Sequence, residues 1–289
     1  MEEAPVRAAL FPGQGVDPAA LLAALDRAPL LDAASDLVGG DLAAAVARCA
    51  GRARPVLPTD IAQPALVVAG LAAHGRAVAE AGGFELYAGH SVGEYTALAA
   101  AGAVAPEDAL RLVCVRGRAM RDAARARGGG MAAVKGIPAP ELEEICAEAG
   151  AVVANDNSPA QLVVSGPDDA LAEVARLVRA RGGRCLLLPV EGAFHSPAMA
   201  PAAPALRDAL DRVTVRMPAA RIVSNVTARP YRAPGEVRGL LVRQLTERVR
   251  FRESVEWMAA AGATEVVDLG PGRVAAKLAA ATMEAGARV

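Results

Sequence analysis

The 289-residue chain has almost no excess charge and very little lysine. Its 31 basic and 32 acidic residues leave a formal net charge of -1, and only Lys135 and Lys277 among the basic residues are lysines. A nearly neutral chain offers no bulk attraction for a polyanion. The charge balance therefore excludes nucleic acid as an expected partner.

Cysteine is scarce, and long apolar runs are missing. The four cysteines stand singly, without the spacing of a metal site, and the first residues contain no charged segment followed by an apolar one. No apolar run approaches the roughly 20 residues that cross a bilayer, since Arg, Asp or Glu interrupts each alanine-rich stretch. These absences favour a reducing cytoplasm, with no metal, no organic cofactor and no membrane partner. The glycosylation sequon at Asn225 is then a chance match.

Hydrophobic residues, by contrast, are abundant. At 53% of the chain they can form the core of one large domain, or of one domain that carries an inserted one. Strand-like runs at 6–11 and 84–88 alternate with helical patterns, including 94–103 and 106–127, and the alternation resumes after residue 191. This order predicts an α/β fold with a mostly parallel sheet covered on both faces.

The segment 128–190 has a different pattern. It opens on Gly128-Gly129-Gly130, and its apolar residues then predict the order strand, helix, strand, strand, helix, strand. That order is the ferredoxin-like arrangement. We therefore expect a large subdomain made of residues 1–127 and 191–289, with a small ferredoxin-like subdomain, residues 128–190, inserted in it.

The five residues Gly89-His90-Ser91-Val92-Gly93 lie between a predicted strand and a predicted helix. Two glycines in this spacing permit the sharp turn of a nucleophile elbow, which lifts a serine hydroxyl clear of the sheet. The turn also places Ser91 at a helix N-terminus, where free N–H groups stabilise an oxyanion. Such a pattern also arises by chance in a chain with 28 glycines, but the flanking strand and helix favour a catalytic serine.

A catalytic serine needs a base, and the chain has three histidines. We interpret His74, in an alanine-rich helix, as a surface residue. His90 adjoins Ser91 and leaves the turn in another direction, which favours a packing or hydrogen-bonding role. His195, in a loop of small residues after a strand, is the predicted base. The acidic residues are too numerous for a third member to be chosen among them.

One arginine of the predicted helix 106–127 lies on the wrong face. At about 100° per residue, Arg111, Arg118, Arg121 and Arg125 share one side, whereas Arg116 falls within the apolar stripe. A buried arginine is costly without an anionic partner. That partner is either a carboxylate of the protein or a substrate carboxylate held by the planar guanidinium, and the helical pattern leaves both open.

Nine short motifs occur in an order and spacing that together are highly specific. They are Phe11-Pro12-Gly13-Gln14-Gly15, Gln63-Pro64-Ala65-Leu66, Gly89-His90-Ser91-Val92-Gly93-Glu94-Tyr95, Arg116-Gly117-Arg118, Asn155-Asp156-Asn157-Ser158-Pro159, Phe194-His195-Ser196-Pro197, Ser224-Asn225-Val226-Thr227, Arg243-Gln244-Leu245 and Gly270-Pro271-Gly272. Over nearly its whole length the chain resembles the malonyl-CoA:acyl-carrier-protein transacylases and the related acyltransferase domains of polyketide synthases.

The resemblance implies an α/β-hydrolase-like fold with a ferredoxin-like insertion. It also implies that Ser91 takes a malonyl group from malonyl-CoA and releases it to the phosphopantetheine thiol of an acyl carrier protein, in fatty acid or polyketide synthesis. By the same resemblance, His195 acts as base and then as acid, and the main-chain carbonyl of Gln244 orients it. The backbone N–H groups of Gln14 and Val92 form the oxyanion hole. Arg116 binds the malonyl carboxylate, and Gln63 and Asn157 are polar residues near the site.

Substrate selection also follows from the resemblance. Val92 and the triplet Phe194-His195-Ser196 are similar to malonyl-selective relatives, rather than to those that take a substituted malonyl group. The chain departs from the family at 16–20 and at 247–249, which bears on the loop beside the acyl pocket and on the placement of Gln244. A thioester hydrolase and a non-catalytic subunit that docks a carrier protein are the alternatives, and Arg116 argues against the hydrolase.

Overall fold

A computed structural model describes residues 5–51 and 56–286. The strands are β1 Val6–Phe11, β2 Leu86–Gly89, β3 Gly130–Lys135, β4 Val152–Ser158, β5 Gln161–Gly166, β6 Arg184–Leu187, β7 Arg221–Val223, β8 Val249–Arg250 and β9 Ala263–Asp268. The helices are α1 Pro18–Leu25, α2 Leu31–Val38, α3 Leu42–Ala47, α4 Thr59–Ala81, α5 Gly93–Ala100, α6 Pro106–Arg127, α7 Ala139–Ala149, α8 Asp168–Ala180, α9 Ala203–Leu210, α10 Pro234–Arg243, α11 Phe251–Ala260 and α12 Val274–Gly286, with 3-10 turns at Pro197–Ala202 and Pro271–Arg273.

The first sheet has the strand order β7-β2-β1-β9, and every pair in it is parallel. Strand β1 is buried along almost its whole length, as expected for a strand covered on both faces. The pairing of Phe11 with Gly89 aligns the carboxyl ends of β1 and β2. The turn after β1 therefore lies beside the turn after β2, which contains Ser91. The predicted parallel α/β fold is confirmed.

The second sheet has the order β6-β3-β5-β4-β8. Its first four strands pair antiparallel and, with α7 and α8, form the predicted ferredoxin-like arrangement around a separate apolar core. Strand β8 comes from outside the segment 128–190 and pairs in parallel with β4, through Asn155 and Val249. The boundaries of the small subdomain at residues 128 and 190 stay a proposal, because β8, which lies outside them, pairs with β4 inside them.

Helix α4, with 23 residues, is long and apolar enough to cross a membrane by length and hydropathy alone, contrary to the expectation that no apolar run approaches that length. In the structure more than half of its most apolar stretch is buried, and it packs against α6 as a core helix. It supports the site, since Gln63 in its second turn is fully buried.

Proline interrupts the helical segment after the small subdomain. Residues 197–210 form a 3-10 turn followed by the short helix α9, because Pro201 lacks the N–H group that a continuous α-helix needs. Helix α12 and strand β8 are additional elements. Strand β8 has only two residues, too few to produce a periodic apolar pattern.

Candidate active site

Ser91 lies in a strained turn between β2 and α5. Its φ of 52° is in the left-handed region, which a residue with a side chain rarely adopts. A Cβ atom on Gly89 would come within 1.9 Å of the carbonyl carbon of Gly93, and one on Gly93 within 2.3 Å of the Phe11 carbonyl oxygen. Both glycines are therefore required by close packing of the backbone around the turn, as in a nucleophile elbow.

A hydrogen-bonded chain runs from Ser91 through His195 to Gln244. The serine Oγ lies 2.8 Å from His195 Nε2, and His195 Nδ1–H donates to the main-chain oxygen of Gln244 at 2.7 Å. Gln244 ends helix α10, where a carbonyl oxygen has no helical partner. The carbonyl fixes the tautomer of the ring, so that Nε2 is free to accept the serine proton.

The environment keeps His195 neutral. Its imidazole is almost fully buried, and burial, followed by the positive charge of Arg116, lowers its pKa to about 3. A neutral imidazole at physiological pH is the form that acts as a base.

Arg116 is fully buried, as its helical phase predicts, but its partners are neutral. Its guanidinium donates to Gln63 Oε1 at 2.7 Å, to Gln244 Oε1 at 2.8 Å and to Ser91 Oγ at 3.1 Å. Within residues 5–51 and 56–286 it forms no ion pair, and its Nε–H has no acceptor. Gln63 is held in turn by Thr59 Oγ1, which accepts from Gln63 Nε2 at 3.0 Å.

The backbone N–H groups of Gln14 and Val92 are unoccupied. Gln14 follows β1 and Val92 follows Ser91, so the two loops that meet at the end of the sheet supply them. Neither N–H donates to a protein acceptor within the described part of the chain. Two free donors beside a serine hydroxyl suit an oxyanion.

The other two histidines differ in position and in contacts. His90 is engaged as a hydrogen-bonding residue: its Nε2–H donates to Asn157 Oδ1 at 2.7 Å, and its ring packs 5.4 Å from that of Phe251. The Asn157 amide also donates to Gln161 at 2.9 Å, so both ends of this side chain, expected near the substrate, bind protein groups. The interpretation of His74 as a surface residue is wrong, because its half-buried ring lies 3.1 Å from the Tyr87 hydroxyl and packs among aromatic rings.

Three residues that were given no role in the sequence analysis surround the elbow. Asn225 Oδ1 accepts the Ser91 N–H at 2.7 Å, and its amide donates to the Gly89 oxygen at 2.6 Å. Glu94, in the first turn of α5, accepts from the Asn225 N–H at 3.1 Å, from the Tyr231 hydroxyl and from the Gln244 amide. Asn225 is fully buried and so cannot carry a glycan. The one sequence feature that could have pointed to this cluster is a glutamate in the mostly apolar helix after the elbow.

A cavity of about 420 Å³ opens next to the site, between the turn after β1 and the segment after β6. Gln14 and Phe194, the neighbour of His195, both line it, whereas Ser91 and Arg116 lie beyond its wall. Val16 and Asp17, where the sequence departs from the family, also line it, and Asp17 caps helix α1. The first departure therefore lies in the wall of this cavity.

The second departure leaves the site intact. Glu247 pairs with Arg243 at 2.7 Å, and Arg248 reaches across to Glu143 of the small subdomain at 2.7 Å. Both pairs lie on the surface, and the Gln244 carbonyl still contacts His195.

A parallel α/β sheet with a serine at a strained strand–helix turn, a buried neutral histidine and two free backbone donors is the arrangement of an acyl-transfer enzyme. Comparison with known proteins gives the same class. A family model described as "Acyl transferase domain" matches residues 40–288. The chain is 37% identical to the malonyl CoA-acyl carrier protein transacylase of Escherichia coli strain K12 over 277 residues, which are 92% of this chain and 89% of that protein.

Two further relatives extend the comparison. The chain is 38% identical to part of the polyketide biosynthesis protein ThaF of Burkholderia thailandensis, covering 93% of this chain and 23% of ThaF. A crystal structure of an acyl-carrier-protein S-malonyltransferase from Burkholderia pseudomallei superposes with a TM-score of 0.86 at 38% identity, covering 96% of this chain and 92% of that one. The chain belongs to the acyl transferase domain family, and it is an acyltransferase.

Proposed function

We propose that this enzyme transfers a malonyl group from malonyl-CoA to the phosphopantetheine thiol of an acyl carrier protein, through an ester on Ser91, in the cytoplasm. The similar proteins named above point to malonyl transfer and to carriers of fatty acid or polyketide synthesis. The four cysteines, all free thiols, fit a reducing compartment.

The observation that carries the proposal is the unpaired charge of Arg116. A fully buried guanidinium costs several kcal/mol unless it meets an anion, yet among the described residues Arg116 donates only to amide and hydroxyl oxygens, lies 5.4 Å from the centroid of the Tyr95 ring and has no acceptor for its Nε–H. Its Nη2 lies 3.1 Å from Ser91 Oγ, so a carboxylate two carbons from the acylated carbonyl can reach it. A malonyl group has that carboxylate, and an unsubstituted acyl chain does not.

In the first half-reaction, the malonyl carbonyl carbon exchanges its bond to the CoA sulfur for a bond to Ser91 Oγ, and one proton passes from Ser91 to the sulfur. His195 Nε2 takes the Ser91 proton as Oγ attacks the thioester carbon, and the oxyanion is stabilised by the N–H groups of Gln14 and Val92. The carbon–sulfur bond then breaks, and the imidazolium returns the proton to the CoA sulfur. Pairing of Arg116 with the malonyl carboxylate offsets the second-largest of the effects that lower the pKa of His195, which makes the imidazole a better base once malonyl is bound.

The second half-reaction is the reverse, with the carrier thiol in place of CoA. His195 takes the thiol proton, sulfur attacks the malonyl ester, and Ser91 recovers its proton. Phe194 covers one side of the adjoining cavity, which has the size for a pantetheine arm, and Gln63 and Asn157 hold Arg116 and His90 in place.

Intact mass spectrometry tests the proposal directly. After incubation with malonyl-CoA the wild-type protein is expected to gain one malonyl group, and Ser91→Ala none. Addition of a phosphopantetheinylated carrier should move the group to the carrier. An adduct that persists in Ser91→Ala would overturn the role of Ser91, and release of free malonate without transfer would identify a hydrolase.

A further inference from the structure

Glu94 is a buried carboxyl group next to the site for which the chemistry above has no use. Its side chain is 1% exposed and accepts hydrogen bonds on both oxygens. Oε1 accepts from the Asn225 N–H and from the Tyr231 hydroxyl, and Oε2 accepts from Gln244 Nε2. Burying a carboxyl group is costly, so the position calls for an explanation.

The side-chain amide of Gln244 lies between two unlike surroundings. On one side its Nε2 faces three acceptors, namely the Glu94 carboxylate, the Ser91 carbonyl at 3.1 Å and Asn225 Oδ1 at 3.3 Å. On the other side its Oε1 faces the guanidinium of Arg116 at 2.8 Å. Reversing the amide would place NH₂ against a cation and an oxygen against a carboxylate. The negative oxygen of Glu94 therefore sets which end of Gln244 faces Arg116.

We propose that Glu94 is a positioning residue for the acyl-carboxylate site: by accepting from Gln244 Nε2, it directs Gln244 Oε1 to Arg116 and so aims the guanidinium at the acyl group on Ser91. Glu94 acts through Gln244 and Arg116, and does not touch the substrate. This inference rests on the proposed malonyl transfer, and it adds a residue that determines preference for malonyl over acetyl.

The variant Glu94→Gln keeps the shape of the side chain but replaces one acceptor oxygen with a donor. The new amide must keep its single oxygen toward the Asn225 N–H and the Tyr231 hydroxyl, which leaves its NH₂ group facing the Gln244 NH₂ group. Two donors cannot bond to each other, so the orientation of Gln244 then depends on its two neutral acceptors, the Ser91 carbonyl and Asn225 Oδ1. Whenever the amide turns over, its NH₂ group faces Arg116 and the guanidinium loses one of its two amide acceptors.

The same interaction depends on pH. Burial raises the pKa of Glu94 to about 7, despite hydrogen bonds and the charge of Arg116 that lower it. The groups that face Glu94 are Arg116 from α6, the Tyr231 hydroxyl and, on its own helix, Tyr95, and both tyrosines have raised pKa values. Of these groups, Glu94 alone changes charge near pH 7. Preference for malonyl should therefore rise as pH increases through about 7, as the acceptor-only form becomes populated.

The test measures kcat/KM for loading of Ser91 from malonyl-CoA and from acetyl-CoA, in wild type, Glu94→Gln and Glu94→Asp, between pH 6 and 8. We expect the malonyl-to-acetyl ratio to fall about tenfold in Glu94→Gln and to lose its pH dependence. Glu94→Asp, which keeps the carboxylate, should recover part of the ratio. The exposed Glu144→Gln serves as the matched control and should behave as wild type.

Gln244→Met gives the second measurement, because it removes the amide but keeps the main-chain carbonyl for His195. If Glu94 acts through this amide, adding Glu94→Gln to Gln244→Met should change the ratio no further. An equal loss with both thioesters, or additive effects on the ratio, would overturn the inference and indicate a purely structural role. Failure of the wild type to load malonyl would instead overturn the proposed function.

Discussion

The polar interior around Ser91 and the apolar core of the small subdomain differ in composition and in what they contribute to stability. Around Ser91 the buried side chains are Arg116, Glu94, Gln63, Gln244 and His195, each held by hydrogen bonds between distant segments. The core of the small subdomain consists of alanine, leucine, isoleucine, valine and cysteine side chains. Burying the polar side chains costs desolvation free energy but positions the reacting groups, whereas burying the apolar side chains stabilises the fold.

We therefore expect substitutions around Ser91 to lower activity and substitutions in the core of the small subdomain to lower stability. The largest expected effect is on activity. Arg116→Ala should lower kcat/KM for malonyl loading about 10³-fold, because the acyl carboxylate would then be buried without a cation. Acetyl loading should survive. The exposed Arg111→Ala on the same helix is the matched control, and unchanged malonyl loading by Arg116→Ala would contradict the role of Arg116.

Leu142→Ala tests the other region. Leu142 is fully buried in the core of the small subdomain, so its truncation should lower the free energy of unfolding by about 2 to 5 kcal/mol. Malonyl loading well below the melting temperature should stay within about twofold of wild type, because the residue is remote from Ser91. Denaturant unfolding followed by loading assays measures both. A large loss of loading in a folded variant would mean that packing in the small subdomain also positions the groups around Ser91.

The buried carboxyl group of Glu94 should also make the free energy of unfolding depend on pH. Glu94 has a folded pKa of about 7, raised by burial from 4.5, so the native state holds this proton more tightly than the unfolded state. Ionisation of Glu94 alone should therefore lower the free energy of unfolding by roughly 3 kcal/mol as pH rises from below 4.5 to above 7. His195 contributes in the opposite direction, because its folded pKa of about 3 makes the fold more stable as pH rises from 3 to 6.5. Denaturant unfolding at several pH values should show the Glu94 component in wild type and not in Glu94→Gln. The same pH dependence in both would contradict it.

The smallest effect is expected where charges are exposed. The pair Arg248–Glu143 joins the two subdomains at 2.7 Å, with side chains 30% and 50% exposed. Arg248→Ala should change the free energy of unfolding by less than about 1 kcal/mol, because water already solvates both groups. A larger loss would mean that the charges between the subdomains also contribute to stability.

Local patterns predicted the elbow and the buried arginine, but they do not reveal long-range contacts. The glycine spacing around Ser91 and the helical phase of Arg116 are visible in short segments, and His195 was chosen by elimination among three histidines. Glu94, Asn225 and Tyr231 meet across separations of 131 and 137 residues, so no local pattern joins them. The ferredoxin-like order was predictable because each of its elements is long enough to be periodic, whereas the two-residue strand β8 is not.

Strand β8 gives the two subdomains a mechanical link. It begins five residues after Gln244, whose carbonyl orients His195, and it is hydrogen-bonded to β4, which carries Asn157 and through it contacts His90. Any displacement of the small sheet would therefore act on both histidine supports at once, the Gln244 carbonyl at His195 and the Asn157 side chain at His90.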